Sequence, residues 1–219
     1  MKIRHLLIFI LLLPGCQTIS NKGQSVSDHI KAEDNYKHGI EQAGNHNYQV
    51  AISSFESAIQ QDNNYVQAYI ALGGTYFTVL KFKEARSQWE KAIALDPKSK
   101  GAYIGIGYLE FMDDKYDSAI RSFETAISVD PNFSAAHAAI GRVYQKQGLT
   151  DKSIFELQKS IELNHDEVMS YWVLSEIYKE QGLTQKAEEY KNKAVSVAER
   201  LHGNQVRGEP FQPNLEPPR

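Results

Sequence analysis

Residues 66–99 read VQAYIALGGTYFTVLKFKEARSQWEKAIALDPKS, and residues 100–133 read KGAYIGIGYLEFMDDKYDSAIRSFETAISVDPNF. Set one under the other, they agree at Tyr69 and Tyr103, Leu72 and Ile106, Gly73 and Gly107, and Ala85 and Ala119. The agreement continues at Trp89 and Phe123, Ala92 and Ala126, and Pro97 and Pro131; only Tyr76, opposite Glu110, departs. A period of 34 residues without insertion or deletion marks an architecture in which each repeat is one supersecondary unit. Followed outward, the period accommodates five units: 32–65, 66–99, 100–133, 134–167 and 168–201.

Two amphipathic segments alternate with short breaks in each unit, as a helix pair requires. Asp96-Pro97 and Asp130-Pro131 break the chain between units, because proline disfavours helix in the residue before it and starts the next helix well. Gly148-Leu149-Thr150 and Gly182-Leu183-Thr184 mark the turns inside units four and five. The eight slots and their spacing resemble the tetratricopeptide repeat. The resemblance implies an all-α solenoid of about five helix-turn-helix units that works by holding other proteins.

The slots have physical roles. Gly73, Gly107 and Gly141 fall in first helices, where a side chain would push the partner helix away, and Ala85 and Ala119 answer them from the second helices. Phe55, Trp89, Phe123 and Leu157 are expected to fill the space between a unit and its successor. Unit five has Lys191 at that slot amid Glu188, Glu189, Lys193, Glu199 and Arg200, so it reads as a polar cap. Unit one is weak at Asn35, His38 and Gln42, and unit four has Ser153, Ser160 and His165 where Ala, Ala and Pro are usual.

The ends of the chain carry an address. Lys2 and Arg4 precede an unbroken apolar run from Leu6 to Leu13, too short to span a bilayer of about 30 Å. Leu13-Pro14-Gly15-Cys16 holds the only cysteine and resembles the lipobox of bacterial lipoproteins. That resemblance implies a signal peptide over 1–15, lipidation (diacylglycerol and palmitate-type acyl chains) at Cys16 and membrane attachment. Gln17 in place of aspartate favours the periplasmic face of the outer membrane. Loss of Lys2 and Arg4 with the leader would take the formal net charge from −3 to −5, which recruits no nucleic acid. Residues 16–31 are polar and unpatterned, and are expected to form a flexible tether spanning about 20 Å. Residues 202–219 hold four of the seven prolines and are expected to be extended or disordered.

In the tetratricopeptide family the first helices line a concave wall. Transferred to this chain, the wall positions include Tyr36, Ile40, Ile70, Phe77, Ile104, Tyr108, Phe111, Met112, Arg142 and Trp172. Units one to three contribute aromatic and aliphatic side chains broken by glycine and alanine, while units four and five add charge. Such a surface suits an inserted apolar helix or strand. The same residues would also serve as ordinary packing that closes a tight superhelix. The two-carboxylate clamp of chaperone-binding relatives is missing, its slots holding residues such as Tyr36, Ile40, Ala71, Gly101 and Gly105.

No catalytic or metal-binding constellation is legible, and no cofactor is expected. The seven histidines form no ligand pair at helical spacing. His137 takes a packing slot, Gly105-Ile106-Gly107 lies inside a repeat helix rather than in a nucleotide loop, and Asp113-Asp114 falls in a turn. A lipid-anchored array of this size resembles the pilotin and assembly lipoproteins of type IV and Tad pili. It also fits an envelope adaptor that recruits a protease or peptidoglycan hydrolase, or an exopolysaccharide-export scaffold. An enzyme and a self-assembling structural protein are the rival classes, and the oligomeric state is not fixed by the sequence.

Overall fold

The computed structural model describes residues 15–205, with side chains placed from Val26 to Leu201. Ten helices and no strand occur among the described residues. They are α1 (Gly15–Gly44), α2 (Tyr48–Gln61), α3 (Val66–Thr78), α4 (Phe82–Leu95), α5 (Lys100–Met112), α6 (Tyr116–Val129), α7 (Ser134–Lys146), α8 (Thr150–Leu163), α9 (Val168–Glu180) and α10 (Thr184–Gln205). Each odd helix packs antiparallel on the next even one, each even helix packs on the following odd one, and α1, α3, α5, α7 and α9 also touch in succession. This is an all-α solenoid of five helical hairpins with nearest-neighbour packing.

Two turns alternate along the solenoid. Inside each hairpin one residue adopts a left-handed backbone: His46 (φ 60°), Leu80 (φ 62°), Asp114 (φ 57°), Gly148 (φ 73°) and Gly182 (φ 74°). The following amide then bonds back to close the helix end, as in Lys81 N–H to Tyr76 C=O at 2.9 Å and Leu183 N–H to Tyr178 C=O at 2.9 Å. Glycine advertises this turn only in units four and five; the first three units tolerate a side chain there at a cost of about 1–2 kcal/mol each. Between hairpins, Asp62, Asp96, Asp130 and Asn164 accept from the amide two residues on, at 2.9–3.0 Å. These side chains brace the corner whether or not a proline follows.

The N-terminal expectation needs correction. Residues 16–31 belong to α1 rather than to a coil, because Ala32, Ala43 and the partly buried Tyr36 and Ile40 dock the helix on its neighbours, and propagation from a docked helix costs little. His29 also bonds Asp62 across 2.7 Å. At the other end α10 runs to Gln205, beyond the expected unit boundary at 201. The leader residues 1–14 and the proline-rich residues 206–219 lie outside the described residues, as does the side chain of Cys16.

The glycine slots receive rings and large side chains rather than alanine. A Cβ on Gly39 would lie 2.5 Å from the Phe55 ring, one on Gly73 2.5 Å from Trp89, and one on Gly141 2.7 Å from Leu157; Gly107 stands as close to Phe123. Trp89 is gripped twice, since a Cβ on Gly105 of the next hairpin would also fall inside its ring envelope, and its Nε1–H donates to Ile70 C=O at 3.2 Å. The residue equivalent to Gly105 follows the size of its partner. Ala71 packs in the cluster of Phe55, Ala139 in that of Phe123, and Val173 in that of Leu157. The bulkiest side chain meets the residue with no side chain, and the smallest meets the largest aliphatic.

Polar departures are also matched in pairs. Ala58 and Ala68, Ala92 and Ala102, and Ala126 and Ala136 are fully buried where one hairpin meets the next; at the fourth junction the equivalents are Ser160 and Ser170, also fully buried. Their hydroxyls bond each other at 2.9 Å. Ser153 donates to Gly141 C=O at 2.7 Å, so the serines of unit four bond within the core. Ser99 is the exception: it is buried, its hydroxyl has no partner, and Val66 holds the position where Ser134 meets Glu167 two hairpins on.

Two double-mutant cycles test these pairings by urea denaturation. Gly105→Ala should cost about 1–3 kcal/mol by overpacking and Trp89→Phe about 1–2 kcal/mol by leaving a void. Together they recreate the phenylalanine–alanine pairing of the neighbouring junctions and should recover at least about 1 kcal/mol of the summed loss; strict additivity would refute the size matching. Ser160→Ala or Ser170→Ala alone should cost about 1–3 kcal/mol by stranding a hydroxyl, whereas the double substitution should be nearly neutral.

Candidate functional groove

The first helices of the five hairpins stand side by side, so their outward positions share one wall. Tyr36, Ile40, Ile70, Phe77, Ile104, Phe111 and Arg142 are each partly exposed there, and Met112 and Trp172 are exposed, at 43% and 40%. The inner part of each ring is used for packing. Tyr36 meets Phe55 and Tyr65 at centroid distances of 5.9 and 5.3 Å, and Phe77 meets Phe82 at 5.4 Å and Trp89 at 5.9 Å. Phe111 lies 6.0 Å from Tyr116. The aromatic residues therefore share their surface between the core and the groove. Gly74 has open space where a Cβ would stand, while a Cβ on Gly101 would press on Ile70 at 3.2 Å.

Tyr108 is the exception among the expected wall residues. It is buried, packed edge-on against Phe123 at 5.4 Å, and leaves only 9% of its surface for contact. Burial pushes its phenol up to about 12, with Glu167 adding to the rise while the charge and hydrogen bond of Arg142 oppose it. Periodicity put Tyr108 on the wall but could not reveal how closely its neighbours bury it. Arg142 crosses from α7 to lie over Phe111, with 5.4 Å between guanidinium carbon and ring centroid. Beyond it, Gln145 bonds Glu176 of α9 at 3.4 Å. Glu167, at the start of α9, is buried and bonded to Ser134 at 3.3 Å, and burial raises its carboxyl above the usual range. Neither partnership of these two glutamates was legible in the sequence, since both link residues more than 30 positions apart.

The remaining sequence candidates have structural positions. His137 bonds Glu156 of the facing helix at 2.8 Å; Asp113 pairs with Lys115 at 2.8 Å and Asp114 accepts from the Tyr116 hydroxyl at 2.7 Å in the turn; Gly105 and Gly107 lie within α5. Among the described residues no three His, Cys, Asp or Glu side chains converge to hold a metal ion, and no helix is long and apolar enough to cross a membrane. Two shallow hollows, one lined by Asp114 to Ser118 with Arg121 and Gln147, the other by Tyr144, Asp151, Lys152, Phe155 and Glu156, involve none of the expected wall residues.

Comparison with known proteins agrees with this architecture. A model described as TPR repeat matches residues 107–148, one described as tetratricopeptide repeat matches 36–100 and 75–125, and another of the same description matches 134–166 and 170–200. No curated protein sequence matches significantly. Among solved structures, MamA is similar at 27% identity and a TM-score of 0.56, covering 75% of this chain and 96% of that one. PilF of Pseudomonas aeruginosa shares the fold at 17% identity and a TM-score of 0.67, over 78% of each chain. YrrB, described as a TPR protein with an unusual peptide-binding site, is similar at 16% identity and a TM-score of 0.51, over 88% of this chain and 98% of that one. With repeat models matched almost continuously from residue 36 to residue 200, this chain belongs to the tetratricopeptide-repeat family.

Proposed function

We propose that this protein is a noncatalytic scaffold, moored by lipid at Cys16 to the periplasmic face of the outer membrane, that holds a protein partner in its concave groove and assists assembly of a pilus or secretion machine. The observation that carries the reading is the wall itself. Ile70, Phe77, Ile104 and Phe111 present partly exposed apolar surface side by side across two hairpins, beside the open notch at Gly74. A rigid row of this kind binds by apolar burial and needs no reacting group.

The leader and Leu13-Pro14-Gly15-Cys16 support the anchor, since more than one acyl chain gives stable residence in a bilayer. As a helix, residues 15–31 would carry the repeats about 25 Å from the anchored end. The fold shared with PilF is compatible with the pilus reading, and the peptide-binding site ascribed to YrrB, a protein of similar fold, supports a peptide-holding groove.

Phe77→Glu and Ile104→Glu should each weaken capture of groove-binding peptides at least about tenfold, because a charge must be desolvated on binding. Phe155→Glu, on an exposed surface away from these wall residues, should leave capture unchanged. Fluorescence anisotropy, with helix content followed by circular dichroism, measures both; equal capture by all three variants rejects the groove. Cys16→Ser should move the protein from the membrane to the soluble fraction of fractionated cells, and retention in the membrane rejects the anchor.

A further inference from the structure

One cation on the groove wall lacks a counter-charge. Arg142 sits in the middle of α7, partly buried, with its guanidinium over the Phe111 ring. The ion pairs among the described residues do not include it. Glu167 is close enough to act on the Tyr108 phenol but is held by Ser134, and its raised carboxyl reflects burial that no cation relieves. Glu176 is engaged by Gln145. A partly desolvated guanidinium beside an apolar shelf is unfavourable until a carboxylate meets it. The Phe111 ring at 5.4 Å and the Tyr108 hydroxyl restrain the guanidinium, and its remaining N–H groups can meet one carboxylate as a fork.

We propose, resting on the groove reading above, that Arg142 sets the specificity of the groove by receiving the side-chain carboxylate of one Asp or Glu carried on an otherwise apolar segment of the partner. The apolar flank of that segment covers Ile70, Phe77, Ile104 and Phe111, and its acid reaches α7. Charge complementarity identifies the occupant: Lys146 follows Arg142 one turn later and is exposed, so α7 itself offers two positive charges, while Glu176 of α9 beside them is engaged by Gln145. A chain-terminal carboxylate fits less well, because capturing one takes a two-carboxylate clamp or a cluster of free backbone amides, and the clamp slots hold Tyr36, Ile40, Ala71, Gly101 and Gly105. The wall consists of helix interiors whose amides are engaged.

Selection of a phage-displayed library of random peptides on the full-length protein tests the assignment. Wild type should enrich apolar peptides with one acidic residue, and a selected peptide should lose about tenfold in affinity when its Glu is changed to Gln. Arg142→Met should bind both forms of the peptide equally while still enriching apolar peptides, and Lys146→Met should keep the preference. Because the lone cation adds little to folding, Arg142→Met should unfold within about 5 °C of wild type. Apolar peptides enriched without an acid, a preference that persists in Arg142→Met, or a larger loss of stability would each overturn the role of Arg142 while leaving the groove intact. Enrichment of no peptide by the folded wild type would overturn the groove and this inference together.

Discussion

The fold depends on a large side chain of each second helix lying on a glycine of the first. Glycine at 39, 73, 107 and 141 removes the one atom that would hold the helices apart, and Phe55, Trp89, Phe123 and Leu157 occupy the space. The same side chain then meets the next hairpin, where Ala71, Gly105, Ala139 and Val173 vary inversely with its bulk. One residue thereby closes its own unit and sets the distance to its successor, so the solenoid can be built from nearest-neighbour contacts alone. In unit five Ser175 takes the glycine position and bonds Ala187 C=O at 2.9 Å, while Lys191 stands exposed where a ring would have called for another hairpin.

This constraint explains which departures from the repeat are tolerated. Ser160 can replace a junction alanine because Ser170 faces it, and Ser153 can replace the alanine inside its hairpin because the Gly141 carbonyl is within reach. Leu80 and Asp114 can hold a left-handed backbone at the hairpin turn because two docked helices fix both ends of the strained residue. Packing that extends over the whole hairpin outweighs a local penalty of one or two kcal/mol.

The groove is a by-product of the same packing. Rings such as Tyr36, Phe77 and Phe111 rest their inner edges on their own hairpins and leave their outer edges partly exposed, so in the proposed reading fold and recognition use the same residues. Their positions are rigid before binding, which lowers the ordering cost of association. Arg142 is the contrast. It gains a ring contact with Phe111 and a hydrogen bond with Tyr108 from the fold but no ion-pair partner, and the proposed specificity rests on that.

The sequence by itself determined the number of hairpins and the helical class, because a 34-residue period ties every slot to a fixed place on a helix. It also placed the polar cap at Lys191. Tertiary structure alone decided which slots meet: that glycine faces a ring rather than an alanine, that Gly105 completes the seat of Trp89, and that Ser160 is answered by Ser170. It buried Tyr108 against Phe123, left Arg142 without an ion-pair partner, and made residues 16–31 part of α1. These outcomes turn on contacts between residues distant in the chain, or on a helix extended from a docked neighbour. Periodicity gives the direction in which a side chain points; it cannot say what stands in front of it.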